Sequence, residues 1–364
     1  MTPTQALNAA GQSLWLDNIT RPMLDDATLT GYIDELHVTG LTSNPTIFEK
    51  AIGAGTAYDD QIGEVGGDGS PSDEDVFFAL AVDDLRRAAD EFAEVYERTA
   101  HADGFVSLEV SPELAFDTAG ETIAQARRLS ASMERPNVFI KIPGTREGLP
   151  AITQAIHEGI PVNVTLLFSS AHHLAAAEAW MEGIERRIAD GLPPDVPSVA
   201  SLFMSRWDVK ANPNVPADLK DRLALAIGGR AYRAYRELLA SPRMQRLMNE
   251  GARPQRLLWA STGTKDPDTS DTLYIDGLAS PYTVNTMPDG TLRAFADHGA
   301  APPVLLPQDG GDAEAVLAEF AAAGVDVDAY AAELQQDGAE KFVDSWRSLI
   351  GTIAEKRAAV AAGS

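Results

Sequence analysis

The sequence predicts an α/β protein, a single (β/α)8 barrel of the TIM type, on the basis of three observations. Eight short apolar runs have the composition of buried β-strands, and segments with helical hydrophobic spacing separate most of them. Repeated βα units favour a parallel sheet with helices outside it. The 364 residues are 45% hydrophobic and can bury one large core, and no glycine-rich dinucleotide turn follows the first run. A closed barrel therefore fits better than an open doubly wound sheet.

The predicted elements cover the chain from one end to the other. The strand candidates are residues 14–17, 38–42, 105–109, 138–142, 162–166, 199–203, 257–261 and 282–285. The crossover helices are clearest at residues 73–98, 118–133, 171–188 and 219–239. Pro- and Gly-rich stretches at 66–71, 191–197 and 302–311 indicate surface connections, so residues 1–364 are expected to form one domain. The Ala-rich, charged segments 312–323 and 329–362 predict additional helices in a C-terminal extension that covers roughly residues 300–364.

The composition excludes several classes of function. The chain contains no cysteine, which rules out disulfides, thiol catalysis, Cys-ligated zinc and iron–sulfur clusters. Its six histidines are scattered apart from His172 and His173, so no metal-ligand spacing is present. A formal net charge of −25 disfavours nucleic-acid and acidic-membrane partners. Residues 1–11 lack the features of a secretory signal, and no apolar stretch approaches the ~20 residues of a membrane span, so we expect a cytoplasmic protein.

Polar side chains recur near the C-terminal ends of the predicted strands. In the fourth strand, alternation places Phe139 and Lys141 on the face opposite Ile140. Both faces of a barrel strand are covered, so this lysine is expected to be buried or to line the barrel mouth. The corresponding inward pairs on the other strands are Trp15 and Asp17, Thr42 and Asn44, Ser107 and Glu109, Asn163 and Thr165, Ser201 and Phe203, and Trp259 and Ser261. Active sites of such barrels lie at this end of the strands.

A lysine next to carboxylates in a poorly hydrated site indicates imine chemistry. A partly neutral amine attacks a carbonyl carbon, and the protonated imine then lets a neighbouring carbon–carbon bond break if a carboxylate removes a hydroxyl proton. Asp17 and Glu109 are the candidate proton carriers, whereas Asn44 and Asn163 can hold substrate hydroxyls. Two structural alternatives stay open: Asp17 as a capping or strand-end aspartate, and Glu109 as a salt-bridge partner of Lys141.

Seven segments also carry a family resemblance. They are Leu16-Asp17, residues 40–47 (GLTSNPTI), 107–110 (SLEV), 139–143 (FIKIP), 163–169 (NVTLLFS), 201–206 (SLFMSR) and 259–261 (WAS). In this order they resemble the bacterial transaldolases of the long-chain type, along nearly the whole chain. The resemblance implies that a Schiff base on Lys141 moves a dihydroxyacetone unit between sugar phosphates in the non-oxidative pentose phosphate pathway, without a metal or an organic cofactor.

The donor implied by the resemblance is sedoheptulose 7-phosphate or fructose 6-phosphate, and the acceptor is glyceraldehyde 3-phosphate or erythrose 4-phosphate. Asp17 would take the hydroxyl proton during bond cleavage. Asn44 and Asn163 would hold the dihydroxyacetone moiety and Ser201 its hydroxyl end. Glu109 with Thr165 would fix the catalytic water.

The expected phosphate site departs from the family pattern. Arg206 and Ser261 stand at the ends of strands six and seven. Shorter transaldolases have an arginine two residues after that serine, where this chain has Gly263, followed by Lys265. This loop can bring backbone N–H groups and the Lys265 ammonium onto a phosphate. The alternative is that Lys265 is a solvated loop cation.

Two other functions stay open at this point. A related Schiff-base aldolase would release free dihydroxyacetone or acetaldehyde, although the additions at 53–100 and 312–364 argue against it. A non-catalytic sugar-phosphate-binding or assembly barrel would not need the amine of Lys141. The sequence leaves undecided whether the protein is a monomer or a homodimer, which donor and acceptor it prefers, and whether the C-terminal helices reach the barrel mouth.

Overall fold

A computed structural model describes residues 1–66, 71–118 and 120–363. Its strands are β1 (Gln12–Leu16), β2 (Gly40–Leu41), β3 (Val106–Glu109), β4 (Val138–Pro143), β5 (Val162–Leu167), β6 (Ser198–Phe203), β7 (Arg256–Ala260) and β8 (Thr283–Met287). All paired neighbours are parallel, in the order β2-β1-β8-β7-β6-β5-β4-β3. A parallel bridge between Gly40 and Phe105 brings β2 beside β3. The predicted (β/α)8 barrel is confirmed.

Helices connect and surround these strands. Among the described residues they are α1 (Pro3–Ala9), α2 (Arg21–Asp25), α3 (Thr28–Glu35), α4 (Pro45–Gly53), α5 (Asp59–Gly66), α6 (Asp73–Glu91), α7 (Ala93–Arg98), α8 (Glu121–Met133), α9 (Leu149–Glu158), α10 (Ser170–Ala189), α11 (Ser205–Ala211), α12 (Leu223–Ala240), α13 (Pro242–Asn249), α14 (Leu273–Gly277), α15 (Asp289–His298), α16 (Ala313–Ala322) and α17 (Val327–Gly363). Short 3-10 turns lie at Pro112–Leu114, Asn212–Asn214 and Ala217–Leu219. None of these helices is long and apolar enough to cross a membrane.

The predicted helices are present with two qualifications. The segment 73–98 consists of two helices, α6 and α7, which meet at the fully buried Phe92. Parts of three sequence predictions fall outside the described residues: 67–70 in a surface connection, 119 near a helix start, and 364 at the end of the C-terminal extension.

Aromatic rings form a layer in the N-terminal half of the barrel interior. The rings of Phe105 and Phe139 stack at 4.3 Å between centroids, and Trp15 lies 6.0 Å from Phe139. The indole N–H of Trp15 donates to Asp103 at 2.7 Å. A Cβ at Gly40 would lie 2.7 Å from the Trp15 ring, so only glycine fits beside it. This aromatic layer separates the polar side chains at the C-terminal end of the barrel from a second polar group at the N-terminal end, where Arg256 donates to Ser13 at 2.6 Å.

The expected inward position of Trp259 is wrong. In-register neighbours on parallel strands point the same way, and β7 aligns Leu258 with the inward Ser201. Trp259 therefore faces outward, where its indole N–H donates to Ser280 at 3.2 Å. Ser261 still reaches the barrel mouth because its φ of 55° breaks the alternation after the strand ends.

The long helix α17 crosses the C-terminal end of the barrel and is fixed at several points. Trp346 packs against Phe77 and Phe78, with ring centroids 5.1 and 5.6 Å apart. Lys356 forms an ion pair with Asp59 at 2.6 Å. These contacts tie the C-terminal extension to the helices that follow β2, and so hold it over the barrel mouth.

We predict that Trp346→Ala lowers the free energy of unfolding by about 3–5 kcal/mol, because the side chain is only 3% exposed and its loss leaves a cavity. Urea titration followed by circular dichroism measures the change. The neighbouring Arg347→Ala is the matched control, since this side chain is 68% exposed and its pair with Glu113 is worth about 0–1 kcal/mol. Equal effects of the two substitutions would contradict the role of Trp346.

Candidate active site

A cavity of about 300 Å³ opens at the C-terminal ends of the strands. Eight of the ten predicted site residues line it: Asp17, Asn44, Lys141, Thr165, Ser201, Arg206, Ser261 and Lys265. The other two, Glu109 and Asn163, lie behind this lining and hydrogen-bond to Lys141 and Ser201. The strand-end positions therefore converge on one site, although Ser261 reaches it only because the backbone departs from the strand alternation.

Lys141 and Glu109 form a buried ion pair at the base of the cavity. The register of β3 and β4 places them side by side, with Nζ 3.0 Å from Oε2 and each residue 5% exposed. The ammonium also donates to the carbonyl of Ser43 at 3.3 Å. Burial raises the pKa of the Glu109 carboxyl, and the charge of Lys141 opposes this effect. Glu109 is therefore a suitable acceptor for a proton that leaves the amine.

Asp17 follows β1 and is held by a chain of hydroxyl groups. The Thr42 hydroxyl donates to its Oδ1 at 2.7 Å, so Thr286, 2.7 Å from Thr42, donates in turn. Burial raises the pKa of Asp17, and Lys141, the Thr42 hydrogen bond and Lys265 oppose the rise. This carboxylate binds a proton more readily than an ordinary aspartate, as a general base should.

A second set of hydrogen bonds orders the wall formed by β5 and β6. Ser201 donates to Oδ1 of Asn163 at 2.7 Å, and the amide of Asn163 donates to Ser107 at 3.2 Å. The oxygen of Ser201 consequently keeps its lone pairs for a substrate hydroxyl. Two buried oxygens, Oγ1 of Thr165 and Oε1 of Glu109, have no hydrogen-bond partner among the described residues. Both can bind a water or a substrate group.

Asn44 has a structural role as well as a place in the cavity. It is the N-cap of α4, where its side-chain oxygen accepts from the backbone N–H of Ile47 at 3.1 Å. The cap fixes the side chain and leaves the amide NH2 as the group that can donate to a substrate.

The cations of the predicted phosphate site lie on the β6 and β7 side of the cavity. The Arg206 guanidinium stacks over Phe203 and Phe342, 5.2 and 5.7 Å from the ring centroids. Its Nη1 is buried and has no hydrogen-bond partner among the described residues. A Cβ at Gly263 would lie 3.1 Å from Cγ of Pro288, a tighter contact than most Cβ atoms make. The exposed Lys265 lines the cavity from the same loop.

Among the lining residues that the sequence analysis missed are Thr286, Lys50 and Phe342. Thr286 lies beyond the predicted end of the eighth strand, because β8 continues to Met287. Lys50 follows Thr46 and Ile47 at helical spacing on α4, a pattern that could have placed it on the cavity face. Phe342 has no signal of this kind, because its position depends on how α17 packs. Its presence shows that the C-terminal extension reaches the barrel mouth.

Comparisons with known proteins identify the family of the chain. The family model described as Transaldolase/Fructose-6-phosphate aldolase matches residues 14–353. A transaldolase of Parafrankia sp. (strain EAN1pec) is 45% identical over 363 residues, covering 97% of this chain and 98% of that protein. The transaldolase of Saccharopolyspora erythraea is 42% identical over 358 residues, 97% of each chain. That of Thermobifida fusca (strain YX) is 44% identical over 366 residues, 98% of this chain and 99% of its own length.

We predict that Thr42→Val raises the pKa of Asp17 further, because it removes a hydrogen bond that stabilises the carboxylate and keeps the side-chain shape. Carbon-13 NMR titration of labelled aspartate carboxyl groups measures the shift. Thr46→Val is the control: this threonine lines the same cavity but hydrogen-bonds to Ser345. An unchanged or lower Asp17 pKa in the Thr42 variant would refute the hydroxyl chain.

Proposed function

Because the chain belongs to the transaldolase/fructose-6-phosphate aldolase family, we propose that it transfers a dihydroxyacetone unit between sugar phosphates through a Schiff base on Lys141. The chain is an enzyme of the transaldolase type. The donor is sedoheptulose 7-phosphate or fructose 6-phosphate, and the acceptor is glyceraldehyde 3-phosphate or erythrose 4-phosphate. The proposal rests above all on the buried ion pair between Lys141 and Glu109, because Lys141 lines the cavity together with Asp17.

Imine formation begins with transfer of the Lys141 proton to Glu109. The two groups are 3.0 Å apart, and burial raises the pKa of the carboxyl that receives the proton. The neutral amine then attacks the ketose carbonyl carbon. Loss of the resulting hydroxyl as water requires a proton, which Glu109 can return. Thr165 Oγ1 and Glu109 Oε1, both without a partner among the described residues, can hold the water that relays it.

Carbon–carbon cleavage depends on Asp17. It removes the proton from the hydroxyl on the departing carbon, that carbon becomes an aldehyde, and the bond electrons flow to the iminium nitrogen. An enamine of dihydroxyacetone remains on Lys141. The acceptor aldehyde is then attacked by the enamine carbon, and Asp17 returns its proton to the new hydroxyl. The raised pKa of Asp17 suits a group that must take up and release a proton in each cycle.

The remaining site residues hold the substrate in place during these steps. Asn44 and Ser201 face the dihydroxyacetone end, and Asn163 fixes Ser201 from behind. Arg206 and Lys265, with the Ser261 hydroxyl, bind the phosphate. A guanidinium can meet two phosphate oxygens at once, so Arg206 is the stronger ligand of the two cations.

The shielding of Lys141 from solvent favours transfer over release of free dihydroxyacetone. The Phe342 ring of α17 lies 5.5 Å from Nζ of Lys141, and the lysine is only 5% exposed. Release requires that the enamine be protonated, and this shielding limits the access of water to it. The amine and two carboxylates supply all covalent and proton-transfer steps, so the proposal needs no metal or organic cofactor. We place the enzyme in the cytoplasm, as a monomer or homodimer.

We predict that borohydride reduction in the presence of fructose 6-phosphate attaches a dihydroxyacetone-derived group to Lys141. Peptide mass mapping locates the adduct, and Lys141→Ala should abolish both the adduct and transfer, because it removes the nucleophile. Lys220→Ala, an exposed lysine outside the cavity, is the control and should keep both. Transfer by a folded Lys141→Ala variant, or an adduct on another lysine, would overturn the assignment.

We predict that Asp17→Asn still forms a trappable imine but transfers at least about 10²-fold more slowly, because it keeps the shape and loses the base. The wild-type rate should be maximal at pH values above the pKa of Asp17, where the carboxylate is ionised, and should fall as the pH drops through this pKa. Because burial raises the pKa of Asp17, the fall should occur above the usual range for an aspartate. A pH profile of kcat should show this acid limb in the wild type and not in the variant. Equal loss of trapping and transfer would instead place Asp17 in imine formation.

A further inference from the structure

We infer that Lys50 is a third substrate-phosphate cation, beside Arg206 and Lys265, and that it faces the phosphate from the side of the cavity opposite Arg206. The inference rests on the proposed function, because it concerns the sugar phosphate that the same cavity would bind. It assigns a binding role to a side chain that the sequence pattern did not single out.

The placement of Lys50 supports this role. α4 follows β2, whereas Arg206 follows β6, and β1, β8 and β7 lie between them in the barrel. Lys50 lines the cavity from the same helix face as Thr46 and Ile47, one to two turns after the cap at Asn44. It therefore reaches the cavity across the mouth from the guanidinium.

Lys50 has its charge available for a ligand. It forms no hydrogen bond through its side chain and no ion pair with any residue that the structure describes, although the chain contains 54 carboxylate residues against 29 Lys and Arg. An unpaired ammonium at the wall of a cavity can bind an incoming dianion without first breaking an ion pair.

The β7 loop offers a single cation to the cavity. Gly263 supplies no side chain, and a Cβ there would contact Pro288 closely. Lys265 is the remaining cation of that loop, and its charge also lowers the pKa of Asp17. Arg206 and Lys265 alone must overcome the field of a chain with a net charge of −25. Lys50 adds a third positive charge to the mouth at a position independent of the loop.

The ordinary explanation of Lys50 is helix stabilisation. It lies in the last turn of α4, where a cation interacts favourably with the helix dipole. If Lys50 had this role alone, its removal would lower the thermal stability of the protein and would leave phosphate recognition unaffected. The two explanations therefore differ in a measurable way.

The test compares Lys50→Met with Lys220→Met, which removes an exposed lysine that does not line the cavity, and with Lys50→Arg. For Lys50→Met we expect KM for fructose 6-phosphate to rise roughly two- to fivefold at low salt, more than any change in kcat, because an exposed ion pair of this kind is modest in strength. KM for unphosphorylated fructose should change less. The inhibition constant of inorganic phosphate should rise with KM, and Lys50→Arg should restore both.

Ionic strength gives a second readout. The difference between Lys50→Met and the wild type should shrink as salt is added, because salt screens an exposed cation. Unchanged KM and phosphate inhibition in Lys50→Met, with a lower melting temperature, would show that Lys50 serves the helix and would overturn the inference. If the wild type shows no borohydride adduct at Lys141, the proposed function itself fails; an adduct together with unchanged Lys50→Met kinetics defeats the inference alone.

Discussion

The buried ion pair between Lys141 and Glu109 is the interaction on which the site depends. Burying two charges costs several kcal/mol per ion and is tolerated only with close geometry. The register of β3 and β4 supplies that geometry, and the packed ring of Phe139 below the pair keeps it at the top of the barrel. A slip of one residue in β4 would turn Lys141 outward and leave Glu109 buried without its partner. The strand register and the catalytic arrangement are therefore fixed together.

The alternation of strand residues predicts most of this site because both sides of a barrel strand are constrained. Lys141 and Ser201 lie in strands whose pleat is regular at that point, so a count of two residues places them correctly. Thr165 lies where the register of β5 shifts between Val164 and Leu167, and it still lines the cavity. The rule fails where the backbone leaves the pleat. Ser261 enters the cavity through a left-handed backbone conformation, and the same turn explains why Trp259 was assigned to the wrong face.

The residues that the sequence did not predict depend on tertiary packing. Helical spacing in segment 329–362 predicts a buried face of α17 but does not identify what covers it. The structure places Phe342 over both Lys141 and Arg206, about 200 and 136 residues away in sequence. Thr286 was missed for a simpler reason, since the end of a strand is the least certain part of a sequence-based assignment. Both cases concern where an element ends or docks, rather than whether it exists.

The distribution of charge is compatible with the proposed binding of a phosphate by so acidic a chain. On the outside, many arginines are neutralised by carboxylates, for example Arg243 by Glu178 and Glu185. Arg206 and Lys265 instead line the cavity without an ion pair to any described residue. No ion pair with a described residue has to be broken when a phosphate arrives. The net charge of −25 opposes an incoming anion, so the proposed recognition depends on which cations the fold leaves unpaired.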